Sequence, residues 1–356
     1  MKTITAYNWR WMQLTDGILD HWFNDIQNAL QEGKVKSSAE RDVFKIKFNS
    51  QNYFVKYSHP STFIQKFRAY LSPKLIKEFH SIKLLQKYDI PTPLPVAAGF
   101  KGSKSILITE AVEETADVRT FWFSNYSDSL IRDKFITDYT IFLKNFFKTN
   151  LFHPDFHPGN ILVKKDNGKY NFYLIDTYGI KRYKKLSENK LFQMLTILGA
   201  MRGELSDREA SEIIGNITGY PLGEASELWL KIQINETVKT EKLWEKRKLK
   251  VFNNSKYTIK TEMSECTVLI RKDLTGTPCI DIQQLKNLQT SDGSDNSIKV
   301  DQIPSQEAEL IWSNSFKMEF YRIPVEKPVA LIQYHNSKNN KLFYIRQKLN
   351  SENKYP

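Results

Sequence analysis

The fold of this chain is decided by residues 151–180, which read LFHPDFHPGNILVKKDNGKYNFYLIDTYGI. Asp155 precedes Asn160 by five residues, and the apolar residues 161–163 follow directly. A polar turn then leads into a second apolar run, which ends on Asp176. Two short β-type runs around a polar turn predict a hairpin. This hairpin would bring Asp155, Asn160 and Asp176 together at one end of a sheet.

These three side chains suit phosphoryl transfer. That reaction needs a carboxylate that accepts the proton of the attacking hydroxyl, and oxygen ligands for the Mg²⁺ that bridges the phosphates of ATP. Asp155 fits the first role, and Asn160 with Asp176 fits the second. Because Asp and Asn also cap ordinary turns, a D-x-x-x-x-N pair alone would be weak evidence. Together with His153 and the two strands, it is the catalytic pattern of protein-kinase-like folds.

Composition and charge narrow the class of protein. The 356 residues, 40% of them hydrophobic, are enough for two or three domains. Cys266 and Cys279 have neither metal-site spacing nor the number expected of a disulfide framework. We find no signal peptide and no apolar run of membrane-spanning length, so we expect a cytoplasmic protein. The net charge of +12 favours anionic partners. Since no nucleic-acid-binding motif accompanies this charge, we expect no nucleic-acid partner.

The residues before the hairpin predict a β-rich lobe with one main helix. Alternating runs at 43–48 and 52–57 predict two strands, and the second of them carries Lys56. The next segment repeats apolar residues at helical spacing as far as Pro91, with Glu78 in its second turn. A strand lysine followed by a helix glutamate matches the ion pair by which kinase folds hold a lysine against the nucleotide phosphates. Taken singly, either residue would be an ordinary surface charge.

A hinge and a helical lobe complete the predicted organisation. Residues 105–110 predict a buried strand, after which Glu110 to Val112 would form the hinge that offers backbone groups to adenine in kinase folds. Four further segments have apolar residues at helical spacing. They are residues 127–149, 186–200, 207–216 and 224–234.

From about Leu30 to Asn254 the chain resembles the lipopolysaccharide kinase family, the inner-core heptose and Kdo kinases of Gram-negative bacteria. The pieces that carry the resemblance are Tyr53-Phe-Val-Lys56, Glu78 with Leu84-Leu85, Ile90-Pro-Thr-Pro93, Thr109-Glu110, His153-Pro-Asp155, His157 to Asn160, and Leu174-Ile-Asp176. The proline-rich joint and the absence of an Asp-Phe-Gly triplet favour this family over ordinary protein kinases.

The resemblance implies ATP and Mg²⁺ as cofactors and a sugar hydroxyl of a lipid-linked core oligosaccharide as acceptor. It also implies a location at the cytoplasmic face of the inner membrane, with peripheral membrane contact. The implied roles are Asp155 as the base, Lys56 as a phosphate ligand paired with Glu78, Asn160 and Asp176 as metal ligands, and Glu110 with Val112 at the adenine.

Two departures keep other functions open. The turn at 36–40 contains no glycine, although kinase folds cover the phosphates with a glycine-rich loop, and Thr177-Tyr178 replaces Phe-Gly after the metal acid. One alternative is a small-molecule kinase of the aminoglycoside or choline kinase type, which shares H-x-D-x-H-x-G-N. The other is a catalytically silent pseudokinase that acts as a scaffold, and the missing glycine loop is its main support.

Residues 255–346 look like a degenerate second copy of the first lobe. The run that ends at Arg271-Lys272 parallels the Lys56 strand, and Ile323-Pro324 parallels Ile90-Pro91. The copy predicts a sheet with a helix between Ser305 and Ser315 that packs Leu310 and Ile311 on the sheet. Glu309 is the nearest acid to pair with the strand-end cation, but its offset argues against a functional ion pair. The alternative is an unrelated α+β appendage.

The predicted fold class is therefore α+β, a two-lobed protein-kinase-like fold with a β-rich C-terminal domain. Residues 1–112 would form the N-lobe and residues 113–254 the C-lobe with the catalytic loop. Residues 255–356 would form a non-catalytic accessory domain.

Overall fold

The computed structural model describes residues 4–6, 8–14, 34–37, 40–48, 50–125, 127–201, 205–272, 298–321, 323, 325–335 and 342–347. The chain divides into two compact units, residues 1–233 and 234–356. Ser38 and Ala39 of the glycine-free turn, Cys279 and Pro324 lie outside the described residues.

The first unit begins with an antiparallel sheet of seven described strands. They are β1 (Ile4–Ala6), β2 (Trp9–Leu14), β3 (Lys34–Ser37), β4 (Arg41–Phe48), β5 (Gln51–Ser58), β6 (Pro95–Lys101) and β7 (Lys104–Glu110). Their order across the sheet is β1-β2-β6-β7-β5-β4-β3. The close approach of β2 to β6 requires Gly99, because a Cβ atom there would lie 2.6 Å from the buried ring of Trp11.

Two helices connect β5 to β6. The first, α1 (Phe63–Leu71), begins with a capping box, in which Thr62 and Gln65 each bond the backbone N–H of the other. The second, α2 (Lys74–Lys87), begins after Pro73 and ends shortly before Pro91, which could not continue it. The sequence pattern predicts α2 but not α1.

Side-chain alternation gives the sheet two apolar faces. On β7, Ile106 and Ile108 belong to one apolar cluster, whereas Leu107 belongs to the cluster on the opposite face. That second cluster includes Phe79 and Ile82 of α2. Because the apolar residues of α2 turn to the sheet, the same helix can direct Glu78 into the protein interior.

The second part of the first unit is built around the hairpin of β10 (Ile161–Asp166) and β11 (Lys169–Leu174). Asp166 pairs with Lys169, so the turn consists of Asn167 and Gly168 alone. Both have positive φ angles, 47° and 75°, which is the geometry of a type I′ turn and explains the Asn-Gly pair. The hairpin predicted at this position is confirmed.

Helices and three short strands surround this hairpin. They are β8 (Thr115–Asp117), α3 (Val118–Asn125), α4 (Ser129–Lys148), β9 (Leu151–Phe152), β12 (Lys181–Arg182), α5 (Glu188–Leu195), α6 (Asp207–Thr218) and the part of α7 (Leu222–Glu245) that precedes residue 234. The rings of Phe135 and Tyr139 on α4 pack against Phe172 of β11, with centroids 5.5 and 5.1 Å apart. This aromatic packing fixes the helix against the strand that precedes Asp176.

In its described residues, the second unit contains a five-stranded antiparallel sheet and a helix packed on it. The strands are β13 (Thr258–Glu262), β14 (Cys266–Arg271), β15 (Ile298–Ile303), β16 (Lys327–Tyr334) and β17 (Leu342–Gln347), in the order β13-β14-β16-β17-β15. The helix, α8 (Ser305–Phe320), buries Ala308, Trp312 and Phe316 with Leu331 and Tyr344 of the sheet.

The predicted duplication of the first lobe is wrong, because the strand order differs. In the first unit, β5 lies beside β7, which is the second strand after the helix. In the second unit, β14 lies beside β16, which is the first strand after α8. The similarity in sequence concerned single strands and a proline joint. Such local patterns do not specify which strands become neighbours.

Two details of the predicted copy also need correction. Leu310 was expected to pack on the sheet, but 59% of it is exposed, and Trp312 takes that place. Arg271 does end its strand as expected, but it forms a bidentate ion pair with Glu319. The partner is thus not Glu309 in the second turn of the helix but Glu319 in its last turn.

Candidate active site

Lys56 and Glu78 form the predicted ion pair. Lys56 lies on β5, between Val43 of β4 and Leu107 of β7 in the sheet register. Its ammonium group donates a hydrogen bond to the carboxylate of Glu78 on α2. Glu78 is only 2% exposed. A carboxylate this deeply buried needs a cationic partner, so the pair also fixes α2 against the sheet.

The loop before β10 joins Asp155 to Asn160. A 3₁₀ turn at 158–160 buries Asn160, whose side-chain amide donates to the Asp155 backbone carbonyl at 3.0 Å and to its carboxylate at 3.3 Å. The Asn160 carbonyl in turn accepts from the backbone N–H of Ile175, at 2.9 Å. This last bond ties the loop to the residue before Asp176. Asp155 itself remains largely exposed.

Two histidines support this loop. His153 is fully buried, and its Nδ1 atom accepts the backbone N–H of Asp155 at 3.1 Å. Burial lowers the pKa of His153 to about 4, although the neighbouring carboxylates of Asp155 and Asp176 favour its protonation. The imidazole is therefore neutral at neutral pH. His157 Nδ1 accepts the Gly159 N–H, and its Nε2 lies 3.6 Å from the Asp155 carboxylate.

Asp176 follows β11 with a left-handed backbone, φ 50°. The next residue, Thr177, is buried and its hydroxyl donates to the backbone carbonyl of Glu78 at 3.4 Å. A second link joins the same region to the proline joint, where the Thr92 hydroxyl donates to the Leu174 carbonyl at 2.8 Å. These bonds hold Asp176 beside the helix that carries Glu78.

The predicted hinge follows β7. Glu110 ends that strand, and its backbone N–H donates to the Leu94 carbonyl at 2.9 Å. The carbonyl of Val112 accepts the Thr115 hydroxyl at 3.1 Å. The backbone N–H of Val112 has no hydrogen-bond partner within the part of the chain that the structure describes. It is thus a donor that a planar ring acceptor could use.

Arg41 belongs to this site and was not predicted. Its guanidinium lies 3.6 Å from the carboxylate of Asp176. Arg41 is the first residue of β4 and directly follows the glycine-free turn. A cation at that position is a usable sequence signal, because the turn before this strand covers the phosphates in kinase folds.

The donor set suits Mg²⁺. Since the amide nitrogen of Asn160 is engaged by Asp155, its carbonyl oxygen is directed elsewhere and can accept a cation. Asp176 already attracts one cationic group, that of Arg41. No cluster of three or more His, Cys, Asp or Glu side chains fit for a metal occurs among the described residues. Mg²⁺ does not require one, because it keeps several waters and binds substrate phosphates.

The fold and this arrangement of side chains are those of a kinase-like phosphotransferase. A model of the lipopolysaccharide kinase (Kdo/WaaP) family matches residues 20–208, more than half of the chain. The chain therefore belongs to the lipopolysaccharide kinase (Kdo/WaaP) family, and its activity is that of a kinase acting on the lipopolysaccharide core. The resemblance seen in the sequence is confirmed, and ATP is the phosphoryl donor that kinase membership implies.

One solved structure similar to this chain is that of WaaP in complex with acyl carrier protein. The TM-score is 0.51 at 16% sequence identity, and the match covers 68% of this chain and 99% of that one. At this identity the likeness shows the fold alone, which is mixed α/β and kinase-like. No curated protein sequence matches the chain. Among the helices that the structure describes, none has both the length and the hydropathy that crossing a membrane requires.

Proposed function

We propose that the chain transfers the γ-phosphate of ATP to a heptose or Kdo hydroxyl of the lipid-linked inner core, at the cytoplasmic face of the inner membrane. The observation that carries the proposal is the hydrogen-bonded pair of Asp155 and Asn160. Its backbone link to Ile175 brings this pair to the end of the strand that precedes Asp176. This arrangement supports a site that would combine a base, an amide oxygen and a second carboxylate.

Asp155 acts as the base in this proposal. Its carboxylate is exposed, so an incoming sugar hydroxyl can reach it, while the buried Asn160 and His153 fix the backbone on which it stands. It accepts the hydroxyl proton as the oxygen attacks the γ-phosphorus and the bond to the departing ADP breaks. The neutral state of His153 avoids a buried positive charge that would weaken the carboxylate as a proton acceptor.

Asn160 and Asp176 would hold Mg²⁺, which neutralises charge on the phosphates when bound. Lys56, held by Glu78, contributes its ammonium group to phosphate binding, and Arg41 adds a second cation beside Asp176. These two cations offset the absence of a glycine-rich cover. Glu110 and Val112 would meet the adenine through their backbone groups, a role that the unpartnered Val112 N–H supports.

In this proposal residues 1–112 form the nucleotide-binding lobe and residues 113–254 the catalytic lobe. Residues 255–356 form an accessory domain without a catalytic role. None of the reacting groups named above comes from the accessory segment.

The test is ATP turnover by the purified chain with a panel of acceptors: heptose-containing core, Kdo-containing core, an aminoglycoside and choline. Turnover with one of the two core acceptors and a loss of about 10²-fold or more in Asp155→Asn are expected. Asp166→Asn is the matched control, because Asp166 is an exposed acid at the far end of the same hairpin. Turnover with an aminoglycoside or choline alone would refute the acceptor class. Unchanged turnover in Asp155→Asn would refute the base.

A further inference from the structure

Helix α1 presents its large apolar side chains to solvent. All five of them are exposed, and Phe63 reaches 83%. They are Phe63, Ile64, Phe67, Tyr70 and Leu71. Only Gln65 and Ala69 of this helix are even half-buried. The usual surface helix turns its apolar stripe to the core. In α1 this orientation is reversed.

The apolar residues of α1 form one stripe with cations on both sides. At about 100° of rotation per residue, the five side chains fall within an arc of about 120°. Lys66 and Arg68 lie about 40° beyond the two edges of that arc. The helix contains no acidic residue. Neither Lys66 nor Arg68 forms an ion pair with a described residue.

Polar contacts hold α1 to the protein. The side-chain amide of Gln65 donates to one carboxylate oxygen of Glu40 at 2.6 Å. Lys74, at the start of α2, donates to the other oxygen at 3.0 Å. Since nine-residue helices are marginal in water without packing, these bonds and the cap at Thr62 are what keep α1 formed. The five side chains of its apolar stripe are 59–83% exposed, so most of that surface is available to a partner.

We propose that α1 is an interfacial helix that binds an anionic lipid surface. The apolar stripe would enter the boundary between headgroups and acyl chains, and Lys66 and Arg68 would reach the lipid phosphates from its two edges. The net charge of +12 favours the same partner. This inference deepens the proposed function, because an acceptor linked to lipid is presented at a membrane.

The position of α1 in the chain connects such binding to the proposed active site. The helix lies between β5, which carries Lys56, and α2, which carries Glu78. Its anchor, Glu40, directly precedes Arg41, whose guanidinium lies 3.6 Å from Asp176. A membrane bound by α1 would therefore lie near Arg41 and Asp176, which are proposed to bind the phosphates and the metal.

The experiment is co-sedimentation of the full chain with vesicles. One preparation contains phosphatidylcholine alone, and the other contains equal parts of phosphatidylcholine and phosphatidylglycerol. The full chain should bind the mixed vesicles more tightly. Phe63→Ser combined with Phe67→Ser should weaken that binding about tenfold or more, because two aromatic rings no longer leave water. Lys66→Gln and Arg68→Gln should each weaken it about fivefold.

Two control variants match these changes elsewhere on the first unit. Leu130→Ser removes an apolar side chain that is 84% exposed on α4, and Lys101→Gln removes an exposed lysine of β6. Neither should change vesicle binding. Asp155→Asn should bind vesicles as the unmodified chain does, so failure of the proposed chemistry and failure of this inference are read separately.

Four results would overturn the inference. The first is no binding to the mixed vesicles, and the second is an equal loss in Leu130→Ser. The third is a dimer in solution that Phe63→Ser converts to a monomer, which would assign the stripe to a second copy of the chain. The fourth is vesicle binding that Phe63→Ser leaves unchanged while it abolishes binding of an acidic carrier protein, which would assign the stripe to a protein partner.

Discussion

Replacing the residues of the Lys56–Glu78 pair separates its structural role from its proposed catalytic one. In Glu78→Met, the ammonium group of Lys56 loses its partner in a site where it is only 19% exposed. In Lys56→Met, the carboxylate of Glu78 is left uncompensated at 2% exposure. The double variant Lys56→Met/Glu78→Met removes both charges and fills the same space with apolar atoms.

The size of the effect follows from burial. Removing one partner of a buried ion pair costs about 3–5 kcal/mol, and we take the lower end because Lys56 retains some contact with water. A loss of about 3 kcal/mol lowers the melting temperature of a unit of this size, 233 residues, by about 6–12 °C. The double variant should regain most of that loss, because a well-packed apolar pair replaces buried charges at little cost.

The assays are differential scanning calorimetry and ATP turnover on the same preparations. Both single variants should have a lower melting temperature than the unmodified chain and should lose ATP turnover. The double variant should melt near the unmodified chain and still lack turnover, since no ammonium group remains for the phosphates. Recovery of turnover in the double variant would refute the role of Lys56. A double variant as unstable as the singles would refute the stability argument.

Two further predictions concern the metal and the buried histidine. In the presence of Mg²⁺, ATP should raise the melting temperature of the unmodified chain, and Asp176→Ala should abolish this shift. Without ligand, Asp176→Ala should melt at nearly the same temperature as the unmodified chain. An ATP shift that survives in Asp176→Ala would contradict the assignment of Asp176 as a metal ligand. His153→Gln should remove a pH dependence, because between pH 6.5 and about 4 the unfolded chain protonates His153 and the native chain does not. As the pH falls through that range, the unmodified chain should therefore lose up to about 3 kcal/mol of unfolding free energy relative to His153→Gln. Urea denaturation at several pH values measures this difference. An unfolding free energy that changes equally with pH in both chains would contradict the prediction.

The parts of the fold that the sequence predicts well are those fixed by neighbouring residues. The β10–β11 hairpin is an example, because Asn167-Gly168 can adopt the positive φ angles of its turn without strain. Helix α2 is another, since its apolar residues repeat at helical spacing and a proline follows it. The proximity of Asp155 to Asn160 also follows from local geometry.

Features that depend on distant partners were missed. The exposure of α1 is one example, because the Thr62-x-x-Gln65 capping box and the helical spacing of its apolar residues mark a helix but do not show which face of it meets the protein. The contact of Arg41 with Asp176 joins residues 135 positions apart, and only the folded sheet brings them together. Spacing along the chain carries no information about such a contact.

The second unit shows that a similar ion pair in two sheets does not imply a shared origin or function. Both units place a cation on a strand and neutralise it with a carboxylate from the helix packed on the same sheet: Lys56 with Glu78, and Arg271 with Glu319. Because the strand order differs, this shared device does not come from a copied lobe. It follows from physical constraint, since a cation buried under a helix needs an acid from that helix. The acid lies in the second turn of α2 but in the last turn of α8, so the two pairs hold their helices at opposite ends. A strand-end cation with a helix acid is therefore weak evidence for a nucleotide site. In the first unit, the proposed catalytic role of the pair is supported by the hydrogen bond from Thr177 to the backbone carbonyl of Glu78, because Thr177 directly follows Asp176.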